Sequence, residues 1–187
     1  TAETIDKLED GTFIVTTNKG TKHHAKAVAI AGGLGTFEPR KPQLENITHF
    51  EEKGVEYFVK DPELFRDKRI VIAGGGDSAL DWSIFLSNVA SEVTLVHRRN
   101  EFRGALDSVE KVQELKKLGK INLITPAEVV GINGKDHVES IVLENEGVQE
   151  IFETDYFIPL FGLTPKLGAI ANWGLEIEKN AIKVNNA

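Results

Sequence analysis

Residues 69–79 read RIVIAGGGDSA, and this stretch decides the fold. It opens with a short, continuous run rich in β-branched residues, which is typical of a parallel strand buried on both faces. Three glycines follow, and from Asp77 onward apolar residues recur at helical spacing. The stretch therefore predicts a strand, a glycine-rich turn and a helix in direct succession.

The neighbouring sequence completes a β-α-β unit. The helix is predicted over residues 77–90 (DSALDWSIFLSNVA), and residues 92–99 (EVTLVHRR) follow as a second buried strand. This segment is about 30 residues long, which is the length that a right-handed crossover needs. A polar helix over residues 106–118, closed by Gly119, and a third strand over residues 121–125 extend the pattern.

Strand-like sequence lies on both sides of this unit. Before it, strands over residues 12–17 and 26–31 predict a β-meander, and the proline-containing stretch 34–42 predicts a surface loop. After it, residues 128–161 predict an antiparallel meander. The fold class is therefore α/β, with a Rossmann-like domain that combines a parallel sheet with an antiparallel β-meander.

The glycine-rich turn matches the dinucleotide fingerprint G-x-G-x-x-G/A between a strand and a helix, where its mechanism requires it. The first glycine permits the tight turn, the third lets a pyrophosphate approach the backbone, and the alanine lets the helix pack closely on the strand. The alternative is a turn that binds nothing. Asp77 is predicted to cap the helix, and Ser78 either to cap it or to contact the ligand. The candidate binding residues are Gly74, Gly75, Gly76, Asp77, Ser78 and Ala79.

The end of the second predicted strand is basic, whereas an NAD-binding unit carries an acid there. His97 lies 23 residues after Gly74 and is followed by Arg98 and Arg99, with Arg103 four residues beyond Arg99. Guanidinium groups suit a dianionic 2'-phosphate, because they donate charge-assisted and often bidentate hydrogen bonds. These four residues therefore predict NADP rather than NAD. The alternative is a solvated basic turn.

The composition excludes several classes of function. The chain has 187 residues, no cysteine, a formal net charge of −7 and an ordinary globular share of hydrophobic residues, 41%. The absence of cysteine excludes disulfides, thiolate zinc sites and dithiol catalysis by this chain, and the negative charge argues against a nucleic-acid surface. No apolar run approaches the roughly 18 residues of a membrane span, so we expect a soluble, cytoplasmic protein that binds neither membrane nor nucleic acid.

Two further expectations concern what the chain lacks. It contains no methionine, not even at position 1, so we expect it to be an excerpt of a longer protein. The histidines lack the spacing of metal ligands, and no G-x-S-x-G pattern marks a nucleophile. We therefore predict no metal site and nominate no catalytic side chain.

Five stretches carry a resemblance to known proteins: AGGLGTFEPR (31–40), GVEYFVKD (54–61), GGGDSALDW (74–82), VTLVHRRNEFR (93–103) and ANWGLEIEKNAIKV (171–184). Together they resemble the thioredoxin-reductase-like family of ferredoxin–NADP reductases, over essentially the whole chain. Low-molecular-weight thioredoxin reductases carry a C-x-x-C directly after the stretch that matches Gly54 to Tyr57, whereas this chain has Phe58-Val59-Lys60-Asp61 there. Dithiol exchange needs both thiols, so the ferredoxin-reductase branch is favoured.

The resemblance implies a flavoprotein in which an NADPH domain is inserted into a discontinuous, Rossmann-like FAD domain. Residues 51–162 would form the NADPH-binding domain, residues 1–50 the end of the first FAD segment and residues 163–187 the start of the second. Phe37 and Ala2, where family members tend to have Val, are the implied FAD contacts in this chain. For NADP the implied contacts agree with those derived above, the 74–79 turn together with His97, Arg98, Arg99 and Arg103.

The implied activity is hydride transfer between NADPH and FAD, with one-electron exchange to ferredoxin or a similar iron-sulfur protein. The NADPH domain would swing about its two connecting strands to bring nicotinamide to flavin, in a protein that is a homodimer at full length. The alternatives are an NADPH-dependent flavin, quinone or other reductase of the same superfamily without the redox C-x-x-C, and a non-catalytic NADP-binding module.

Overall fold

A computed structural model of the chain describes residues 1–31, 36–179 and 181–184. The chain divides into two compact units, a first of Thr1–Glu38 with Leu163–Ala187 and a second of Pro39–Gly162. Short 3-10 helices cover Ile47–Phe50, Pro62–Phe65 and Gly168–Asn172. The other elements, numbered in chain order, are β1 (Ala2–Lys7), β2 (Phe13–Thr17), β3 (Lys22–Ala25), β4 (Thr36–Pro39), β5 (Arg69–Ala73), α1 (Asp77–Leu86), β6 (Glu92–Val96), α2 (Leu106–Lys117), β7 (Asn122–Ile124), β8 (Glu128–Gly134), β9 (Val138–Asn145), β10 (Val148–Glu153), β11 (Tyr156–Pro159), β12 (Leu163–Lys166), β13 (Ile177–Glu178) and β14 (Ala181–Ile182).

A parallel sheet of order β11-β5-β6-β7 lies at the centre of the second unit. Ile70 of β5 lies opposite Val93 of β6 on one side and Tyr156 of β11 on the other. The predicted strand, glycine turn, helix and second strand are thus confirmed as β5-α1-β6. The second strand ends at Val96, so the predicted basic residues lie beyond its carboxyl end rather than within it.

Alternate residues of β5 pack into two separate cores. Ile70 and Ile72 pack with side chains of α1 and α2, whereas Val71 and Ala73 pack with β8 and β9 on the opposite face. This double burial explains why β5 is apolar at nearly every position. Each fully buried aliphatic side chain contributes about 1.5–3 kcal/mol, and together they fix the strand end from which the glycine turn leaves.

The two helices lie on the same face of the parallel sheet. Leu80 of α1 and Val112 of α2 share one core, and Ser108 Oγ donates to Asp81 Oδ1 at 2.8 Å between the helices. α2 is followed by Gly119 with φ +70°, which confirms the predicted glycine stop. Among the helices of the described ranges, none combines the length and apolar character that crossing a membrane would require.

Residues 128–161, predicted as one antiparallel meander, divide between two sheets. β8, β9 and β10 form the predicted antiparallel sheet in the order β10-β9-β8, but β11 joins the parallel sheet beside β5. The prediction is wrong for β11 because its sequence, YFIP, is apolar throughout and almost completely buried, which suits a parallel strand.

Asp155 fixes the position of β11 beside β5. Its carboxylate accepts hydrogen bonds from the backbone N–H of Arg69, at 2.8 Å, and from the Arg69 guanidinium, at 3.1 Å. Burial raises the pKa of Asp155, but these hydrogen bonds outweigh burial and hold the pKa below its ordinary value. The ionised carboxylate therefore joins the start of β5 to the start of β11.

The first unit contains small sheets. β1, β2 and β3 form an antiparallel sheet, β4 pairs with β12, and β13 pairs with β14. The strand predicted over residues 12–17 is confirmed as β2. The strand predicted over residues 26–31 is wrong, because the turn at Gly20 returns the chain at once and pairs Lys22–Ala25 with β2 instead.

The stretch 34–42, predicted to be a surface loop, is only partly a loop. Residues Thr36–Pro39 form β4, because β12 supplies a hydrogen-bonding partner that the sequence alone did not reveal. Residues 32–35 lie outside the described part of the chain.

Candidate dinucleotide-binding site

The glycine turn, residues 74–79, lies at the carboxyl edge of the parallel sheet. The backbone N–H of Gly74 donates to the carbonyl of Val96 at 3.0 Å, which ties the turn to the end of β6. α1 begins within this stretch, at Asp77, with Gly76 as its N-cap and no side-chain cap among the described residues. The predicted capping roles of Asp77 and Ser78 are therefore wrong for this helix.

The three glycines of the turn are needed for different reasons. None has a positive φ, so turn conformation does not require them. A Cβ on Gly74 would lie 2.7 Å from the Cβ of Ala79, and a Cβ on Gly75 would overlap the ring of His97. A Cβ on Gly76 would meet no atom within 4 Å. Gly74 and Gly75 thus serve packing, whereas the space beside Gly76 is open to a ligand.

The start of α1 offers unused hydrogen-bond donors. The backbone N–H groups of Gly76, Asp77 and Ser78 have no acceptor among the residues that the structure describes. Free N–H groups and the positive end of the helix dipole together favour an anion at this place. This part of the site therefore has the geometry of a phosphate site.

A second segment, residues 97–105, returns from the end of β6 to the glycine turn, and we call it the arginine loop. The backbone N–H of Arg103 donates to the carbonyl of Gly75 at 2.7 Å, and the backbone N–H of Ala105 donates to Asp77 Oδ1 at 2.7 Å. The two groups of residues that the sequence singled out, the turn and the basic segment, are therefore brought together.

Three guanidinium groups of the arginine loop are available to a ligand. Arg98, Arg99 and Arg103 are exposed, and no ion pair joins them to an acid within the described ranges. Their positive charges act together on the imidazole of His97. The loop therefore presents a concentrated positive charge beside the free N–H groups of α1.

His97 is buried at the base of the arginine loop. It is 7% exposed, it stacks on Phe102 with ring centroids 5.3 Å apart, and its Nε2 has no hydrogen-bond partner among the described residues. Burial lowers the pKa of His97 from its ordinary value of 6.5, against a hydrogen bond with the backbone of Glu101, and the arginine charges lower it further. The imidazole is therefore neutral at physiological pH.

We expect His97 to make the protein less stable below neutral pH. The unfolded chain protonates this histidine below pH 6.5, whereas the native state resists protonation, so the unfolded state binds more protons there. The free energy of unfolding should therefore fall as the pH falls from 6.5 towards the depressed pKa. Urea unfolding at a series of pH values measures this slope, and His97→Gln should flatten it. Equal slopes for the wild type and the variant would contradict the assignment.

The predicted flavin contacts lie in the first unit. Ala2 is in β1, half-buried and opposite Thr17 of β2. Phe37 belongs to β4, but its side chain lies outside the described residues. Both assignments stay predictions. In the described part of the chain, no group of three or more histidine, aspartate or glutamate side chains could hold a metal ion.

Sequence reasoning missed one residue of this site. A Cβ on Gly104 would lie 2.5 Å from Leu80 Cδ1 and 3.1 Å from Asp77 Oδ1, so a larger residue would force Leu80 or the arginine loop to shift. The available signal was a single glycine between a basic segment and a helix. It could indicate a close approach but not the surface approached.

The whole chain, residues 1–187, matches the family described as pyridine nucleotide-disulphide oxidoreductase. Among curated relatives, a ferredoxin–NADP reductase of Flavobacterium johnsoniae is 77% identical over the entire chain, which covers 53% of that protein. Ferredoxin–NADP reductase 2 of Bacillus subtilis is 42% identical over 98% of the chain and 54% of its own length. The chain thus spans about half the length of the curated relatives it matches.

The fold is similar to that of thioredoxin reductases. The structure of Lactococcus lactis thioredoxin reductase superimposes with a TM-score of 0.82 at 25% identity, over the whole of this chain and 60% of that one. Thioredoxin reductase of T. acidophilum gives a TM-score of 0.81 over 96% of this chain and 58% of its own. The predicted Rossmann-like α/β class is confirmed.

Proposed function

Because this chain belongs to the family of pyridine nucleotide-disulphide oxidoreductases, we propose that residues 51–162, within its second unit, form the NADPH-binding domain of a flavin-dependent ferredoxin–NADP reductase. The observation that carries the proposal is the junction of the glycine turn with the arginine loop. Among the described residues, three N–H groups of the turn have no acceptor and three guanidinium groups of the loop have no acidic partner. Two anionic groups of one ligand, a pyrophosphate and a 2'-phosphate, suit this pair of sites. Relatives named ferredoxin–NADP reductase match the whole chain, which supports the same activity here.

The residues of the second unit fit NADPH. The open space beside Gly76 leaves room for the pyrophosphate, which the N–H groups of Gly76, Asp77 and Ser78 would hold. Arg98, Arg99 and Arg103 would hold the 2'-phosphate. When bound, NADPH and FAD supply the redox chemistry, in which a hydride enters and single electrons leave. The residues of this chain would bind and orient the dinucleotide, and we assign no proton-transfer role to any of its side chains.

We propose that the first unit is part of the discontinuous FAD domain, with Ala2 and Phe37 as its flavin contacts in this chain. The pairing of β4 with β12 supports this arrangement, since the chain leaves the first unit and re-enters it through neighbouring strands. Movement of the NADPH domain about its two connecting strands, near residues 50–58 and 158–166, would bring the nicotinamide to the flavin.

We assign ferredoxin, or a similar iron-sulfur protein, as the electron partner. The chain has no cysteine, and Phe58-Val59-Lys60-Asp61 occupies the place of the C-x-x-C in the thioredoxin reductases it resembles. Without thiols there, this region cannot pass electrons to a disulfide. A one-electron carrier is the acceptor that the names of the close relatives support.

The test is a comparison of dinucleotides followed by a comparison of acceptors, both on the full-length protein. In calorimetric titrations we expect NADP⁺ to bind at least about tenfold more tightly than NAD⁺, and NADPH to drive reduction of ferredoxin. A preference for NAD⁺ would contradict the assignment of residues 97–103. Turnover with quinones or free flavin but not with ferredoxin would show that ferredoxin is not the acceptor. Binding of NADP⁺ without any turnover would support the non-catalytic NADP-binding module.

A further inference from the structure

We propose that Asp77 is a positioning residue that sets the preference for NADPH over NADH by holding the arginine loop against the glycine turn. The inference rests on the proposed function. Asp77 is the first residue of α1, but its carboxylate forms no cap on that helix. Oδ1 instead accepts the backbone N–H of Ala105, which is 28 residues further along the chain, at 2.7 Å.

The arginine loop is fastened to the turn at two points. The Arg103 N–H to Gly75 carbonyl bond holds the middle of the loop, and the Ala105 N–H to Asp77 carboxylate bond holds its end. Both acceptors belong to the glycine turn. The backbone of His97, just before Arg98 and Arg99, is bonded separately to Ile124 and Ala127. The position of Arg103 relative to the free N–H groups of α1 therefore depends most on the two bonds to the turn, of which the one to Asp77 is made by a side chain.

Packing at Gly104 limits how the loop can lie. A Cβ on this residue would come within 2.5 Å of Leu80 Cδ1 and within 3.1 Å of Asp77 Oδ1, so the loop contacts α1 without an intervening side chain. The loop consequently has little freedom to compensate if the bond to Asp77 is lost. A shift of the loop would move the 2'-phosphate contacts but not the pyrophosphate contacts, which lie on α1 itself.

The charge of Asp77 does not by itself explain its position. A carboxylate beside a pyrophosphate site repels the ligand, although it also interacts favourably with the positive end of the helix. A hydrogen bond from an N–H to a carboxylate is about twice as strong as one to a neutral acceptor, which suits a loop that must be held in place. The charge and the hydrogen bond can be separated, because asparagine keeps an acceptor oxygen without the charge.

The experiment compares NADPH and NADH binding to Asp77→Ala and Asp77→Asn in the full-length protein. Asp77→Ala should lower the NADPH to NADH affinity ratio about tenfold, because a hydrogen bond to a charged acceptor is lost and the loop is released. Asp77→Asn should keep the ratio of the wild type, while both dinucleotides bind as well as before or more tightly.

Asp81→Ala is the matched control. Asp81 lies one turn further along α1, and its carboxylate accepts a hydrogen bond from Ser108 Oγ of α2 at 2.8 Å. Asp81→Ala removes the same charge as Asp77→Ala and a similar hydrogen bond between two elements. Ser108, however, lies outside the arginine loop. The affinity ratio should therefore be unchanged in Asp81→Ala.

A second variant disturbs the loop without removing a charge. Gly104→Ala should lift the loop from α1 and lower the NADPH to NADH affinity ratio in the same direction as Asp77→Ala.

Equal losses for both dinucleotides in Asp77→Ala, or the same ratio change in Asp81→Ala, would overturn the inference. If the wild type did not prefer NADPH, the proposed function would fail and this inference with it. If the wild type prefers NADPH and loses the preference on removal of Arg98 and Arg99, but Asp77→Ala keeps it, only this inference fails.

Discussion

Replacing Arg98 and Arg99 together by alanine should weaken NADPH binding about a hundredfold and change NADH binding less than about threefold. Both guanidinium groups are exposed and form no ion pair with an acid in the described ranges. No existing ion pair therefore has to be broken when they bind a phosphate. Two charge-assisted contacts to the 2'-phosphate are lost for NADPH, and NADH has no such group. Titration calorimetry on the wild type and the double variant measures both affinities.

The control is a variant with the same change of charge at a distance. Lys116 and Lys117 lie in the last turn of α2, about 16 Å along the helix from its start beside the arginine loop. Their joint replacement by alanine should affect NADPH and NADH alike, and only slightly at physiological salt. If the arginine variant lost equal affinity for both dinucleotides, the 2'-phosphate assignment would be wrong.

Replacing Gly76 by aspartate should abolish the binding of both dinucleotides, a loss of at least about a thousandfold. The new Cβ meets no protein atom within 4 Å, and the φ of −105° is accessible to any residue, so the variant should fold. Its carboxylate would occupy the space beside the free N–H groups and repel a pyrophosphate. Affinity from calorimetry and thermal stability from unfolding curves together test this expectation.

Gly75→Ala provides the contrast for this prediction. A Cβ there would overlap the ring of His97, which is buried and stacked on Phe102, so the variant should lose about 1–3 kcal/mol of stability. A Gly76→Asp protein that unfolds like Gly75→Ala would show that the turn has no open face. A stable Gly76→Asp protein that still binds NADPH would exclude the turn as the pyrophosphate site.

The centre of the fold could be predicted because its signals are local. β5, the glycine turn and α1 follow one another without interruption, and burial on both faces leaves β5 almost entirely apolar. β11 has the same apolar character, but its place beside β5 depends on Arg69 and Asp155, which are 86 residues apart. A local pattern cannot specify such a pairing. The sequence therefore predicts residues 156–159 as the last strand of an antiparallel meander.

The candidate site could likewise be predicted where its signals are local, but not where residues distant in sequence meet. The position of His97 to Arg99 follows from strand length and from the spacing after Gly74, since the carboxyl ends of neighbouring parallel strands lie at one edge of the sheet. The bond between Asp77 and Ala105 could not be foreseen, because the return of the arginine loop is set by its packing on Leu80. The sequence indicated the glycine turn and the basic segment, and the structure supplied the hydrogen bonds that hold the two segments together.

The ends of the second unit lie side by side, and this has a consequence for how such proteins diversify. The backbone N–H of Arg40 donates to the carbonyl of Gly162 at 3.0 Å, so the two ends of the segment between these residues lie next to each other. A segment with this property can be exchanged by recombination as a cassette, because the recipient needs only two neighbouring junctions to accept it. If the second unit binds NADPH as proposed, its dinucleotide preference would be transferred together with this segment.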